Sequence, residues 1–215
     1  MKNQGINNII RILRREVRQW KVPAIGHFAD TSFTTLISCI LSLRTKDQTT
    51  LDASGRLFNV ADTPKMILEI RTHKLEKLIY PVSFYRVKAR TIKKIARELI
   101  ERFDGRVPDT LEELITLPGV GRKTANIVIT LAFNKPGIAV DIHVHRISNR
   151  LGYVTTKTPD ETEMALRKKL PRRHWIVLND LFVAFGQNLC RPVSPFCTRC
   201  PIVDYCEKVG VGKSR

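Results

Sequence analysis

The chain has 215 residues, 43% of them hydrophobic, enough apolar material for one large core or two small ones. Its 37 lysines and arginines outnumber 20 aspartates and glutamates, and the resulting charge of +17 exceeds what solubility asks for, so a polyanionic partner is expected. With no apolar run of transmembrane length and no signal-peptide pattern, nucleic acid fits better than a membrane, in a reducing cytosol (nucleoid-associated) or a nucleus.

Apolar residues recur at helical spacing along most of the chain, and neither strand alternation nor a hairpin signal stands out, so an all-α protein is expected. Ile6, Ile9, Ile10, Leu13 and Val17 share one face of a first helix; Arg11, Arg14, Arg15 and Arg18 occupy the other, and Pro23 is expected to end it. A second helix runs through SFTTLISCILSL from a cap at Asp30, Thr31 or Ser32. Its apolar interior implies burial, and Cys39 within it reads as a small core residue rather than a reactive thiol. Helices follow around TLDASGRLFNV, TPKMILEI, LEKLI and KARTIKKIARELIERF. The last places Ile92, Ile95, Leu99 and Ile100 on one face and is stopped by Asp104 and Gly105. Thr110 with Glu113 forms a capping-box pattern that opens LEELITL.

Residues 117–129 read LPGVGRKTANIVI. A helix over 110–117, the turn PGVG and a helix over 122–133 make a helix-hairpin-helix. Gly119 and Gly121 can take positive φ and, around Val120, let the backbone approach another surface closely. Amides at the start of the second helix, together with its dipole, favour an anion, and phosphate is the obvious one. Arg122 and Lys123 add two cations there, and the spacing leaves two readings of the lysine open. It is a further phosphate-binding charge, or, because the adjacent positive charge disfavours protonation, a neutral amine able to act as a nucleophile.

The clearest break follows at Asn134–Gly137, NKPG, and beyond it come IHVHRISNRL, ended by Gly152, then ETEMALRKKL and HWIVLNDLFVAFGQNL. Asp141 precedes a helix buried through Val144, Ile147 and Leu151. This makes it a natural N-cap whose carboxylate is favoured in its ionised form. Capping alone would account for it. Four of the five cysteines crowd into the last 26 residues, and Cys190, Cys197, Cys200 and Cys206 are separated by six, two and five residues. That distribution suits metal ligands better than disulfides stapling a whole fold, and spacing does not separate zinc from an iron–sulfur cluster.

LPGVGRKTAN, then VDIHVHRISNRL, then four cysteines, in this order, resemble the endonuclease III family of DNA glycosylases within the helix-hairpin-helix superfamily, over essentially the whole chain. The resemblance implies two helical domains with a DNA-binding cleft between them. One is a six-helix barrel over 24–135 that includes the hairpin (110–133); the other is a helical iron–sulfur domain from 1–23 with 136–215. It implies that Lys123 attacks the deoxyribose and Asp141 assists. A damaged base is flipped out, because its glycosidic bond is out of reach while stacked. The lysine amine displaces it at C1′ while Asp141 stabilises positive charge on the sugar and helps keep Lys123 unprotonated. The Schiff base then acidifies the C2′ proton and allows β-elimination of the 3′ phosphate.

The cysteine spacing matches the family's [4Fe-4S] ligand set, which implies a structural cluster folding a loop that presents Arg191 and Arg199 to phosphate. With every ligand from protein, no open position remains for Lewis-acid chemistry. Adenine-specific relatives usually lack the lysine and carry an extra C-terminal domain, so a bifunctional enzyme for oxidised pyrimidines is the expected subfamily. The alternatives are mismatched thymine or uracil, an oxidised purine, or a non-catalytic cluster-containing DNA-binding module. The expected partner is double-stranded DNA with damaged bases or abasic sites, bound by a monomer.

Several positions depart from the family pattern. In LSLRTKD, Arg44 stands where glutamine is common, and it is expected to fill the hole left by the flipped base or to bind phosphate. VSFYRVKA resembles the wedge loop, so Phe84 is expected to insert between bases, with a core phenylalanine as the alternative; Ser83 replaces the usual glycine. Ile142 replaces the usual threonine after Asp141. His143 reads as a phosphate contact and His145 as structural, since residues two apart on a helix face different directions.

Overall fold

A computed structural model describes residues 3–20 and 30–215, so the expected helix stop at Pro23 lies outside the described residues. The described residues form eleven α-helices joined by short loops and 3-10 turns, with no strand among them, as the all-α expectation requires. None of these helices is long and apolar enough to cross a membrane. The chain divides into two compact units, Ala24–Lys135 and Met1–Pro23 with Pro136–Arg215.

The unit Ala24–Lys135 contains α2 (Ser32–Ser42), α3 (Asp47–Phe58), α4 (Pro64–Glu69), α5 (Thr72–Ile79), α6 (Tyr85–Phe103), α7 (Leu111–Leu114) and α8 (Arg122–Phe133). Its centre is α2, buried continuously from Phe33 to Leu41 and packed against α8, α3 and α6. The start of α2 is set by Thr31, whose hydroxyl accepts the Thr34 amide at 3.1 Å while the Thr34 hydroxyl accepts the Thr31 amide at 3.1 Å. This reciprocal box satisfies two amides that a buried helix end would otherwise leave orphaned. Thr31→Ala is expected to cost about 1 kcal/mol, read as a shift in the urea midpoint without a change in slope. α6 buries Ile92, Ile95 and Leu99, and Asp104 (φ 52°) and Gly105 (φ 74°) end it, the Gly105 amide closing on the Leu99 carbonyl at 2.9 Å.

The other unit joins both ends of the chain. α1 (Asn3–Glu16) passes into a 3-10 turn at Val17–Gln19; after Pro136 come α9 (Ile142–Arg150), α10 (Pro159–Lys169) and α11 (Trp175–Asn188). Two 3-10 turns, Cys197–Arg199 and Val203–Tyr205, shape the cysteine segment. The expected apolar face of α1 is its buried face: Ile6, Ile9, Ile10 and Leu13 pack with Val144, Ile147, Phe182 and Phe185 in one core. Trp20 closes it, stacked on Phe185 with ring centroids 6.1 Å apart.

Candidate active site and cysteine cavity

The first helix of the hairpin is shorter than the expected 110–117. α7 is a single turn, Leu111–Leu114, and the chain to Val120 runs in tight turns in which Thr116 bonds back to Glu113 (3.0 Å), Leu117 to Leu114 (3.1 Å) and Val120 to Leu117 (3.1 Å). Pro118 explains the early stop: it has no N–H to continue the helix and biases Leu117 away from the helical region. The Thr110 box is half made, because Glu113 accepts from the Thr110 hydroxyl at 2.6 Å while that hydroxyl accepts the Glu113 amide at 3.3 Å.

Only one hairpin glycine uses left-handed backbone. Gly119 has φ +76°, and a Cβ there would stand 2.9 Å from Thr91 Cγ2 on α6; Gly121 has φ −92°, and a Cβ there would meet nothing within 4 Å. The expectation of positive φ at both is corrected: Gly121 sits in extended backbone facing open space. Gly119→Ala is therefore expected to lose about 1–2 kcal/mol of stability. Gly121→Ala is expected to lose under about 1 kcal/mol yet weaken duplex binding by filling the gap over the turn, so unfolding and fluorescence-anisotropy titrations on the two variants separate folding from contact.

The N-cap of α8 is Gly121, a residue with no side chain of its own to accept from the helix start. Arg122 and Lys123 lie in its first turn, while Thr124 to Thr130 behind them are buried without a break and fix the helix against the core. Lys123 is exposed, and its amine has no hydrogen-bond partner among the described residues. Its charge reaches Cys39, where it opposes burial, the larger effect, which pushes that fully enclosed thiol up to about 12. Cys39 is the inert core residue the sequence suggests.

Asp141, on the other unit, caps α9. Its Oδ1 accepts the amides of His143 (2.9 Å) and Val144 (2.8 Å), leaving Oδ2 without a hydrogen-bond partner among the described residues. A carboxylate held this way is fixed in place yet keeps one oxygen for other work. Ile142 is 67% exposed, so the replaced hydroxyl leaves apolar surface beside the cap. His143 meets the Arg146 guanidinium at 3.1 Å (Nδ1 to Nη2), and Arg146 also donates to the Cys190 carbonyl at 2.8 Å. His145 belongs to an internal hydroxyl network, 2.7 Å from Thr162 Oγ1.

Arg44 (φ 55°) and Phe84 (φ 58°) are the wedge and gap-filling candidates, and both hold left-handed backbone without being glycine. Phe84 is 62% exposed, which removes the alternative of a core phenylalanine.

Cys190, Cys197, Cys200 and Cys206 are half-buried and line one cavity with Ile147, Leu151, Phe185 and Ile202. Burial pushes the Cys200 thiol up to about 11 and raises that of Cys206. Donors nevertheless face the sulfurs: the Lys208 amide stands 3.4 Å from Cys206 Sγ and Arg150 Nη1 stands 3.5 Å from Cys190 Sγ. The wall is otherwise largely apolar, the setting in which four thiolates hold an iron–sulfur cluster. Among the described residues no three of His, Cys, Asp or Glu stand close enough to hold a single ion. A zinc about 2.3 Å from each of four sulfurs would draw them within roughly 4 Å of one another. Four cysteine sulfurs lining one largely apolar cavity are a donor set that fits an iron–sulfur cluster.

Sequence reasoning missed Arg150, which is 8% exposed and donates to the carbonyls of Arg191 and Pro192, each at 2.7 Å. Its position three residues beyond Ile147 on the buried stripe of α9 was the available signal. Arg191, Arg199 and Arg215 converge on one ring, their guanidinium carbons 5.1, 5.8 and 4.8 Å from the Phe196 centroid. The two arginines expected at phosphate thus share a cationic platform with a third, stacked in the way cations favour on an aromatic face.

Residues 37–172 match the HhH-GPD superfamily of base excision DNA repair proteins. The chain is 50% identical over 182 residues to endonuclease III of Thermotoga maritima, covering 85% of each protein. Its fold is similar to that of endonuclease III in a non-covalent DNA complex, with a TM-score of 0.87 at 33% identity over 97% of this chain and 96% of that one. A structure of a trapped endonuclease III–DNA covalent intermediate is similar to the same degree, with a TM-score of 0.87, 33% identity and 97% of each chain covered. The chain belongs to the HhH-GPD superfamily and, within it, to the endonuclease III family. This membership makes it a DNA glycosylase of base excision repair.

Proposed function

We propose that the protein removes oxidised pyrimidines from duplex DNA and then nicks the strand at the abasic site, with Lys123 as the nucleophile and Asp141 as its partner. The observation that carries this reading is Lys123 itself, an exposed amine without a hydrogen-bond partner among the described residues, on the first turn of a helix whose N-cap is glycine. The covalent intermediate trapped for endonuclease III supports it. The lysine nitrogen forms a bond to C1′ as the C1′–N bond to the base breaks, the base leaving with the electron pair and taking up a proton. Asp141 stabilises the positive charge that develops on the sugar. The nitrogen loses a proton, its lone pair forms the C1′=N bond as the C1′–O4′ bond breaks, and O4′ takes up a proton, which gives the ring-opened iminium. The C2′ proton then leaves, its electrons form the C2′–C3′ double bond, and the 3′ phosphate departs. Water finally releases the lysine.

In this reading the unit Ala24–Lys135 is the barrel domain presenting the hairpin, Arg44 and Phe84, and the other unit is the cluster domain. Gly119, Val120, Gly121 and Arg122 contact phosphate from the one unit, and His143, Arg191 and Arg199 contact phosphate from the other. Cys190, Cys197, Cys200 and Cys206 would hold a [4Fe-4S] cluster, which supplies structure rather than chemistry. The protein acts in the cytoplasm or the nucleus.

The test is a panel of duplexes, each with one defined lesion, scored separately for base release and strand cleavage. Release with cleavage at oxidised pyrimidines is expected. Release confined to mismatched thymine, uracil or an oxidised purine moves the substrate class, and salt-dependent binding without release leaves a DNA-binding module.

A further inference from the structure

Arg44 and Phe84 belong to different loops of the unit Ala24–Lys135, yet both are exposed and both hold left-handed backbone, φ 55° and φ 58°. Side chains rarely adopt that region unless the surroundings over-determine it. The surroundings here meet in one residue. Lys88 is 7% exposed, and its ammonium donates to the carbonyls of Leu41 (2.7 Å) and Leu43 (2.6 Å) and to the hydroxyl of Thr45 (3.1 Å). All three donors of the group are used. The carbonyls belong to the C-terminal end of α2, where a cation is favoured and acceptors would otherwise be orphaned. Arg44 is thereby bracketed on both sides.

The same residue reaches the second loop. The Thr45 hydroxyl to which Lys88 donates also accepts the amide of Ser83, next to Phe84, at 3.3 Å, whereas the 3.0 Å bond from the Lys88 amide to the Phe84 carbonyl is the ordinary first-turn bond of α6. Arg56 braces this loop from α3, with Nε donating to the Leu78 carbonyl at 3.0 Å and Nη2 to the Tyr80 carbonyl. The Lys88 side chain therefore brackets Arg44 through Leu43 and Thr45, and through Thr45 it reaches the Ser83 amide beside Phe84.

We propose that Lys88 is a positioning residue that locks the Arg44 and Phe84 loops into one rigid pair, presented to the duplex where a base has been extruded. The proposal rests on the glycosylase reading for the extrusion. Lys88 touches neither DNA nor sugar, so it governs opening of the duplex and not the chemistry on the deoxyribose.

The experiment compares the unaltered protein with Lys88→Met and Thr45→Val. One readout is the fluorescence of 2-aminopurine placed opposite a stable abasic analogue in a duplex; the others are single-turnover base release from an oxidised pyrimidine in a duplex and cleavage at an abasic site in a single strand. Lys88→Met should lower duplex base release about tenfold and Thr45→Val about threefold, with loss of the 2-aminopurine response and single-strand cleavage within about twofold of normal. An equal fall on duplex and single strand, or no fall on duplex, overturns the proposal. Should Lys88→Met fail to fold by thermal unfolding, Thr45→Val decides it. Absence of base release by the unaltered protein counts against the glycosylase reading instead, and the 2-aminopurine response of Thr45→Val then decides this proposal by itself.

Discussion

Lys123→Ala is expected to abolish covalent trapping by borohydride on damaged or abasic DNA and to lower base release by about a thousandfold or more. The side chain is exposed and has no hydrogen-bond partner among the described residues, and alanine is the better helix former, so stability should stay within about 0.5 kcal/mol. Loss of trapping then belongs to chemistry rather than to folding. Lys123→Arg sharpens the test, because it keeps a cation at the hairpin turn but offers no amine that loses its proton readily. Retained duplex affinity with lost trapping separates the nucleophile from the phosphate contact. Trapping unchanged in Lys123→Ala rejects the assignment. Asp141→Asn complements it: asparagine caps a helix as well as aspartate, so α9 should hold while base release falls.

The second large effect is expected at the cysteine cavity. With the proposed cluster held by the four cysteines, Cys200→Ser should abolish iron binding and visible absorption and lower the unfolding temperature by about 10 °C or more, since metal binding that organises a loop is folding free energy. The reason lies in what surrounds the sulfurs. Residues 190–206 have little regular structure beyond two 3-10 turns, and burial raises the Cys200 and Cys206 thiols, so without a cation those two thiolates are not favoured. Arg150 and Arg146 fasten the loop at Arg191, Pro192 and Cys190. Fastening at one end does not replace a fourfold anchor. Iron analysis and calorimetry check both outcomes, and full stability of an iron-free Cys200→Ser protein would remove the structural role.

Most of the helices were legible because each carries an uninterrupted apolar stripe and a recognisable start, as at Thr31, Thr63, Thr110 and Asp141. The hairpin was legible in kind but not in detail. Its first helix stops at Leu114 because Pro118 acts several residues upstream through missing backbone bonds, and the two glycines differ because only Gly119 faces another helix. The exposure of Phe84 and the bracketing of Arg44 depend on contacts between segments about forty residues apart, which no local pattern records. Lys88 and Arg150 were overlooked for a shared reason. A long basic side chain on a helix reads as solvent-facing, yet each lies on its helix's apolar stripe, Lys88 four residues before Ile92 and Arg150 three after Ile147. Burial of a charge is affordable there because backbone carbonyls wait unpaired beside it.

One unit assembled from the two ends of the chain, with the other inserted between them, constrains how the protein emerges from a ribosome. Ile6, Ile9, Ile10 and Leu13 are made early, but Val144, Ile147 and Phe182, against which they rest, arrive more than a hundred residues later. Until then α1 is an amphipathic segment with its greasy side in water, while the inserted unit has all the partners it needs and condenses first. Nascent chains of this topology depend on the middle being finished before the beginning can settle.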